Sequence, residues 1–157
     1  MAVPVIRELK KWQSVGDDEV IIRDAPPGTS CPVVEAIRGS DFVLLVTEPT
    51  PFGLHDLRLA YELVRELNLP AGVIVNRDGV GDARVDDFCR DAGLPILMRI
   101  PLERRFAESL ARGANLVEAF PEYLPRFQEL YLQIQSMVDG GQPSTIKTAA
   151  GNARGDQ

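Results

Sequence analysis

The sequence predicts an α/β protein with a parallel sheet flanked by helices. Four short runs are apolar and β-branched nearly throughout, which is typical of strands buried on both faces of a parallel sheet. Helical patterns separate these runs, and strands that alternate with helices indicate β-α-β crossovers. The predicted strands are Glu19 to Arg23, Phe42 to Thr47, Gly72 to Asn76 and Pro95 to Ile100.

The predicted helices follow from apolar residues that recur three and four positions apart. The clearest pattern is Leu54 to Leu67, and Pro70 then ends it. From Asp139 onward the composition changes to Gly, Gln, Ser, Thr and Ala, so we expect residues 139–157 to form a disordered tail after one domain over residues 1–138. The other predicted helices are Pro32 to Arg38, Arg84 to Ala92, Glu103 to Arg112 and Pro121 to Val138.

Composition narrows the classes of partner. The net charge of −6 and the lack of a dense run of Lys and Arg argue against a nucleic-acid partner. Cys31 and Cys89 are far apart in the sequence, which indicates neither a disulfide framework nor a metal cage, and predicts a reducing cytoplasm. The chain has no long apolar run and its start lacks the pattern of a secretory signal, so we expect no transmembrane segment.

In an open parallel sheet, a ligand binds beyond the carboxyl ends of the strands. After the first predicted strand, Asp24 is placed to hold a hydrated Mg²⁺, and Gly28 would let a backbone N–H approach a γ-phosphate. The alternative is a rigid turn in which Asp24 caps a helix. The residue pattern alone leaves both interpretations open.

The second strand is followed by a loop stiffened by two prolines, which presents Glu48 or Thr50 to a ligand. A helix lead-in with Thr50 or Asp56 as the cap explains the same residues and is favoured by the pattern alone. The only histidine, His55, is predicted to be a surface residue.

The third and fourth strands end in residues suited to a flat heterocycle. The side-chain amide of Asn76 offers a donor and an acceptor together, as the edge of an adenine ring requires, and Arg77 is suited to lie along the ring face. An Asn at this position is also a common turn former. After the fourth strand, Pro101 is suited to wall the base, although a helix starting at Glu103 explains that proline equally well.

Four segments in this order and spacing resemble the C-terminal half of the MinD/ParA/Mrp class of P-loop ATPases. They are VIIRDAPPGTSCPV, FVLLVTEPTPFGLHDL, GVIVNRDGVGD and ILMRIPLERRFAES. The similarity covers about Ala2 to Tyr123 and is closest to the MinD-like branch with an inserted 4Fe-4S ferredoxin module. It implies a P-loop NTPase-like fold that lacks the N-terminal Walker A strand and loop.

The resemblance assigns roles to individual residues. It implies that Asp24, in the switch II element, assists Mg²⁺ through water and that Gly28 senses the γ-phosphate. It implies a second set of residues around adenine. These are Asn76, Arg77, Pro101 and Leu102.

The chain also departs from that class. The K-G-G-x-G-K-[ST] phosphate loop is missing, since no glycine is followed by lysine. The class continues upstream of a segment like Met1 to Arg7, so we expect Met1 to be an internal methionine taken as a start, or the edge of a gene fragment. The ferredoxin insert is missing as well, because two cysteines cannot ligate a cubane cluster.

The resemblance implies that the complete protein uses ATP and Mg²⁺, forms a homodimer and serves an iron-sulfur or redox partner in the cytoplasm. This chain alone should barely hydrolyse ATP, since the phosphate cradle supplies most of the catalysis. The main alternative is a non-enzymatic α/β interaction module that has lost nucleotide binding. A receiver- or flavodoxin-like domain is disfavoured because Asp24 lacks an acidic neighbour.

The missing phosphate-loop strand leads to a prediction about the sheet. In this class it lies between the strand that carries switch II and the next strand in sequence. We therefore predict that Glu19 to Arg23 and Phe42 to Thr47 run parallel about two strand spacings apart, roughly 10 Å. The three strands from Phe42 onward should pair consecutively.

Overall fold

A three-stranded parallel sheet forms the centre of the computed structural model, which describes residues 2–12, 16 and 19–140. The strands are β1 (Val43–Thr47), β2 (Ala71–Asp78) and β3 (Ile96–Pro101), and they lie in the order β1-β2-β3. The predicted α/β class and the consecutive pairing of these three strands are confirmed. Thr47 lies beside Val75, and Asn76 beside Ile100, so all three strands end at one edge of the sheet.

Helices connect and cover these strands. The five predicted helices are present, although the last predicted one divides into a 3₁₀ turn, Pro121–Tyr123, and a following α-helix. Two further helices, at the start of the chain and before the 3₁₀ turn, were not predicted. The seven α-helices of the described residues are α1 (Ala2–Lys11), α2 (Cys31–Ile37), α3 (Pro51–Glu66), α4 (Arg84–Asp91), α5 (Arg104–Ala111), α6 (Leu116–Ala119) and α7 (Leu124–Val138).

Two hydrophobic clusters cover opposite faces of the sheet. On one face, Val73 and Val75 of β2 pack against α3, α4 and Leu94. On the other, Ile74 and Met98 pack against Phe106, Tyr123 and Leu130 from the helices that follow β3. A strand with both faces buried is what the continuous apolar run of β2 predicts.

The prediction of a strand at Glu19 to Arg23 is wrong. This segment has no regular secondary structure, so it does not form the predicted strand parallel to β1. An apolar run becomes a strand only when a neighbour accepts its hydrogen bonds, and the described residues supply none here. Its side chains stay largely in solvent, and Ile22 is 91% exposed.

The predicted disordered tail lies outside the described residues except for Asp139 and Gly140, which form a turn after α7. Among the helices of the described residues, none is long and apolar enough to cross a membrane.

Candidate functional site

The loops after the three strands contact one another at the carboxyl edge of the sheet. Arg77 Nη1 lies 3.3 Å from Glu48 Oε1, so an ion pair joins the end of β2 to the β1–α3 loop. The Leu102 N–H donates to the Asp78 carbonyl oxygen over 3.0 Å, which joins the ends of β2 and β3. These contacts fix the relative positions of the residues that follow the strands.

A bulge at Arg77 shapes this edge. Asn76 lies beside Ile100 and Asp78 beside Pro101, so Arg77 is the extra residue between two paired positions. Its φ of +54° is in the left-handed region, which costs a non-glycine residue about 1–2 kcal/mol. Bulges of this kind often redirect a side chain next to a binding site. Here the bulge turns an exposed arginine toward Glu48.

The four residues predicted to surround a base therefore come together. Asn76 and Arg77 directly precede Asp78, the last residue of β2. Pro101 ends β3, and the N–H of the following Leu102 donates to the Asp78 carbonyl oxygen. Asn76 is half-buried, whereas Leu102 is 51% exposed.

Arg99 holds the ends of β2 and β3 to the start of α4. Its Nη1 lies 3.2 Å from Asp78 Oδ1, and its Nη2 donates to Asp86 Oδ1. The Asp78 carboxylate is therefore engaged within the fold. Arg99 was not among the predicted site residues, although a charged residue inside an otherwise apolar strand was an available signal.

The β1–α3 loop is held by its own hydrogen bonds. Thr50 Oγ1 accepts from the Gly53 N–H over 3.0 Å, so Thr50 is the N-cap of α3, as one of the two interpretations of this loop predicted. The buried Thr47 hydroxyl donates to the Gly53 carbonyl oxygen over 2.9 Å. His55 is exposed, as predicted.

Gly81 brings the β2–α4 loop against the β1–α3 loop. A Cβ atom added to Gly81 would lie 1.7 Å from the Pro49 carbonyl oxygen, so only glycine fits this approach. This contact depends on tertiary geometry, and no sequence pattern indicated it.

Asp24 and Gly28 lie on a separate, exposed segment. Gly28 has a φ of +90°, and a Cβ atom added to it would meet no heavy atom within 4 Å beyond its chain neighbours. Ser30, and not Asp24, occupies the N-cap position of α2, so Asp24 does not cap that helix. Among the described residues, no hydrogen bond or ion pair joins Asp24 or Gly28 to the edge formed by Asn76 and Pro101.

The two cysteines do not form a joint ligand set. Cys89 is only 2% exposed within the core between β2 and α4, while Cys31 is exposed at the start of α2. Burial, with a contribution from Asp86, raises the pKa of the Cys89 thiol to about 11. Within the described ranges there is no group of three or more His, Cys, Asp or Glu side chains that could hold a metal ion.

Exposed apolar side chains accompany the polar residues at the carboxyl edge. One follows each strand: Phe52 after β1, Val80 after β2 and Leu102 after β3. Phe52 is 84% exposed in the first turn of α3.

Two surface depressions lie elsewhere on the described part of the molecule. One, of about 430 Å³, lies between β3 and α7 beside Arg99 and Arg126. The other, of about 600 Å³, lies between α3 and α4 beside Tyr61 and Phe88. None of the strand-end residues Asn76, Arg77 and Pro101 lines either depression.

Comparison with solved structures identifies the fold. MinD from Aquifex aeolicus superposes with a TM-score of 0.61 at 22% identity, covering 94% of this chain and 62% of that one. The cell division ATPase MinD of Pyrococcus furiosus superposes with a TM-score of 0.58 at 24% identity, covering 73% of this chain and 50% of that one. The fold is that of the MinD-type P-loop ATPases.

Curated relatives are similar over most of this chain. An uncharacterized protein of Methanocaldococcus jannaschii is 32% identical over 114 residues, which are 73% of this chain and 39% of that protein. The iron-sulfur cluster carrier protein of Aquifex aeolicus is 28% identical, covering 71% of this chain and 34% of that protein. The cytosolic Fe-S cluster assembly factor NUBP2 of Gallus gallus is 27% identical, covering 80% of this chain and 52% of that protein.

The chain spans only about a third to a half of the length of these relatives. No family model matches the sequence.

Proposed function

We propose that this chain belongs to the MinD/ParA class and carries the adenine-binding and switch II part of an ATPase linked to iron-sulfur or redox-partner handling. The observation that carries the proposal is the junction of Asn76 and Arg77 with Pro101 and Leu102 at the carboxyl edge of a MinD-type sheet. The relatives named as iron-sulfur cluster carrier and assembly proteins support the physiological context.

The chemistry of the edge suits an adenine ring. The Asn76 side chain offers one donor and one acceptor to the polar edge of the base. Arg77 carries a planar guanidinium beside it, and Pro101 and Leu102 supply apolar contact. The Glu48 carboxylate pairs with Arg77 over 3.3 Å and thereby orients that guanidinium.

This chain supplies only some of the groups that a nucleotide's phosphates and Mg²⁺ would need. In the proposal, Asp24 holds Mg²⁺ through water and Gly28 presents its N–H to the γ-phosphate. The exposed Asp24 carboxylate and the open space around Gly28 are compatible with those roles. Because the chain has no glycine followed by lysine, it offers no phosphate loop of the K-G-G-x-G-K type. We therefore infer that base binding is its main contribution and that hydrolysis requires further groups.

For the complete protein, we propose that ATP binding drives homodimer formation in the cytoplasm and controls an iron-sulfur or redox protein partner, with the 4Fe-4S cluster held outside this chain. The Cys89 thiol is only 2% exposed in the core between β2 and α4, so it is unsuited to ligate such a cluster. The net charge of −6 argues against nucleic acid as the partner.

A non-enzymatic interaction module is the second candidate. It is favoured by one observation, that no described polar contact joins Asp24 to the Asn76 edge. In that case neither ATP nor ADP would bind at the edge.

Two substitutions test the proposed roles by calorimetric titration with ADP. Asn76→Ala should weaken ADP binding by about 1–3 kcal/mol, because it removes a hydrogen-bonding pair from the base. Asp24→Asn should leave ADP binding unchanged, because its role concerns Mg²⁺ near the γ-phosphate. Equal losses in both variants would contradict the assignment, and no ADP binding by the unmodified chain would favour the interaction module.

A further inference from the structure

Two arginines of α3 lie over aromatic rings beside the depression between α3 and α4. The guanidinium carbon of Arg58 lies 5.4 Å from the centre of the Phe88 ring, and that of Arg65 lies 5.8 Å from the centre of the Tyr61 ring. Both arginines line the depression. Stacking on a ring orients a guanidinium group and leaves the N–H donors at its rim free to bind other groups.

The two rings are fixed by contacts within the fold. The Tyr61 and Phe88 rings meet edge to face, with their centres 5.8 Å apart. The Tyr61 hydroxyl donates to the Ala92 carbonyl oxygen over 2.9 Å, which ties this ring to the residue that follows α4. Both rings also pack against the core cluster on this face of the sheet. The two arginines therefore lie over a fixed aromatic support.

These two guanidinium groups differ from most others in the molecule. Eight arginines of the described residues form ion pairs with a carboxylate. Within the part of the chain that the structure describes, the guanidinium groups of Arg58 and Arg65 have no hydrogen bond and no ion pair. Their donors are therefore available to a ligand.

The spacing of the two arginines specifies the ligand. Seven residues make about two turns of helix, so Arg58 and Arg65 lie on one face of α3, about 10 Å apart along its axis. Glu62 lies between them and also lines the depression, while Asp91 on its other side lies 3.6 Å from Arg90. A matching ligand carries two carboxylates about 10 Å apart with no negative group between them. A helix with acidic residues seven positions apart has this spacing.

We propose that the surface formed by Arg58, Tyr61, Arg65 and Phe88 binds an acidic helical segment of a partner protein. Two carboxylates of that segment, seven residues apart, would accept hydrogen bonds from the two guanidinium groups. An apolar side chain between them would pack on the rings. Tyr and Arg are among the residue types that contribute most to the affinity of protein interfaces. The inference does not depend on nucleotide binding.

A small anion fits this surface less well than a helix. Inorganic phosphate carries its charges on one centre, so it could contact both arginines only if they left their rings. The net charge of the chain, −6, acts weakly at this site, because exposed charges beyond about 8 Å are largely screened at physiological salt. Glu62 is close enough to matter, and we expect it to weaken the binding of carboxylates.

Fluorescence anisotropy of a labelled peptide tests the proposal on the full chain without nucleotide. The probe is an alanine-based helical peptide with two glutamates seven residues apart and a leucine midway between them. The control peptide carries glutamine in place of both glutamates. We expect the control peptide to bind at least about tenfold more weakly than the probe. In the ¹⁵N-labelled chain, the probe should shift amide signals of α3 and α4.

Substitutions separate this site from a general charge effect. Arg58→Gln combined with Arg65→Gln should weaken binding of the probe at least about tenfold. Arg104→Gln combined with Arg112→Gln changes the net charge equally, at two exposed arginines that pair with Glu108, and should leave binding unchanged. Glu62→Gln should tighten binding about twofold, an increase that a loss of folding cannot produce.

Four results would overturn the proposal. They are no binding at millimolar probe, equal binding of the control peptide, equal losses in the two double variants, and shifts at Asn76 and Arg77 in place of α3 and α4. Displacement of the probe by millimolar inorganic phosphate at constant ionic strength would assign the site to small anions and would also overturn it. Because no nucleotide is present, each of these results leaves the ADP titrations unaffected.

Discussion

Replacing Gly81 with alanine tests the contact that positions the loops of the candidate site. Gly81 has a φ of +102°, and an added Cβ atom would lie 1.7 Å from the Pro49 carbonyl oxygen. Gly79 has a φ of +97° with no heavy atom within 4 Å of an added Cβ atom. Gly79→Ala is therefore the matched control, because it carries a similar conformational cost without the collision.

The expected loss of stability has two parts, the cost of the positive φ and the cost of the collision with the Pro49 carbonyl oxygen. A non-glycine residue held at such a φ costs about 1–3 kcal/mol, and this term applies to both variants. Forcing additional atoms into a filled space costs about a further 1–3 kcal/mol, and this term applies only to Gly81→Ala. The free energy of unfolding should fall by about 1–3 kcal/mol for Gly79→Ala and by about 2–6 kcal/mol for Gly81→Ala.

Urea unfolding followed by far-ultraviolet circular dichroism measures both losses. The informative quantity is the difference between the two variants, because the shared conformational term largely cancels. Equal losses, or a larger loss for Gly79→Ala, would refute the argument that the β2–α4 loop rests against the Pro49 carbonyl group.

Three further predictions concern the bulge and the cysteines. Arg77→Gly should unfold at a higher urea concentration than Arg77→Ala. Both variants lose the ion pair with Glu48, but only alanine keeps the strain of the left-handed φ. Equal unfolding midpoints would contradict this prediction. Near pH 8, iodoacetamide should modify Cys31 and leave Cys89 intact by mass spectrometry, and modification of both would contradict the burial of Cys89. Because the folded Cys89 pKa is raised from 9.0 to about 11, its contribution to stability is fully present below pH 9.0 and is lost as the pH rises through 11. The stability advantage of the wild type over Cys89→Ala should therefore shrink between about pH 8 and pH 10.5, whereas a constant difference would contradict the raised pKa.

The sequence predicts the paired strands well, because burial on both faces requires continuous apolar runs. The run at Glu19 to Arg23 carries the same signal but forms no strand. Its residues are suited to burial between two neighbouring strands. The composition of one segment cannot specify whether such neighbouring strands are present. Strand formation is a property of the pair and not of one segment.

The same distinction applies to the candidate site. Asn76 and Pro101 could be predicted as site residues because they lie near the ends of strands, and parallel strands end at one edge of a sheet. The bulge at Arg77 and the approach of Gly81 to Pro49 depend on register and φ, which no local pattern encodes. Thr50 was correctly considered as a helix cap because the side-chain oxygen and the Gly53 N–H are only three residues apart.

The most direct test of the proposed nucleotide site is a titration of the ¹⁵N-labelled chain with ADP at millimolar concentration, followed by NMR. We predict shifts of the amide signals of Asn76, Arg77 and Leu102 that do not require Mg²⁺ and that disappear in Asn76→Ala. Shifts centred on the depression between α3 and α4, or no shifts at all, would contradict the claim that the carboxyl edge of this sheet binds adenine.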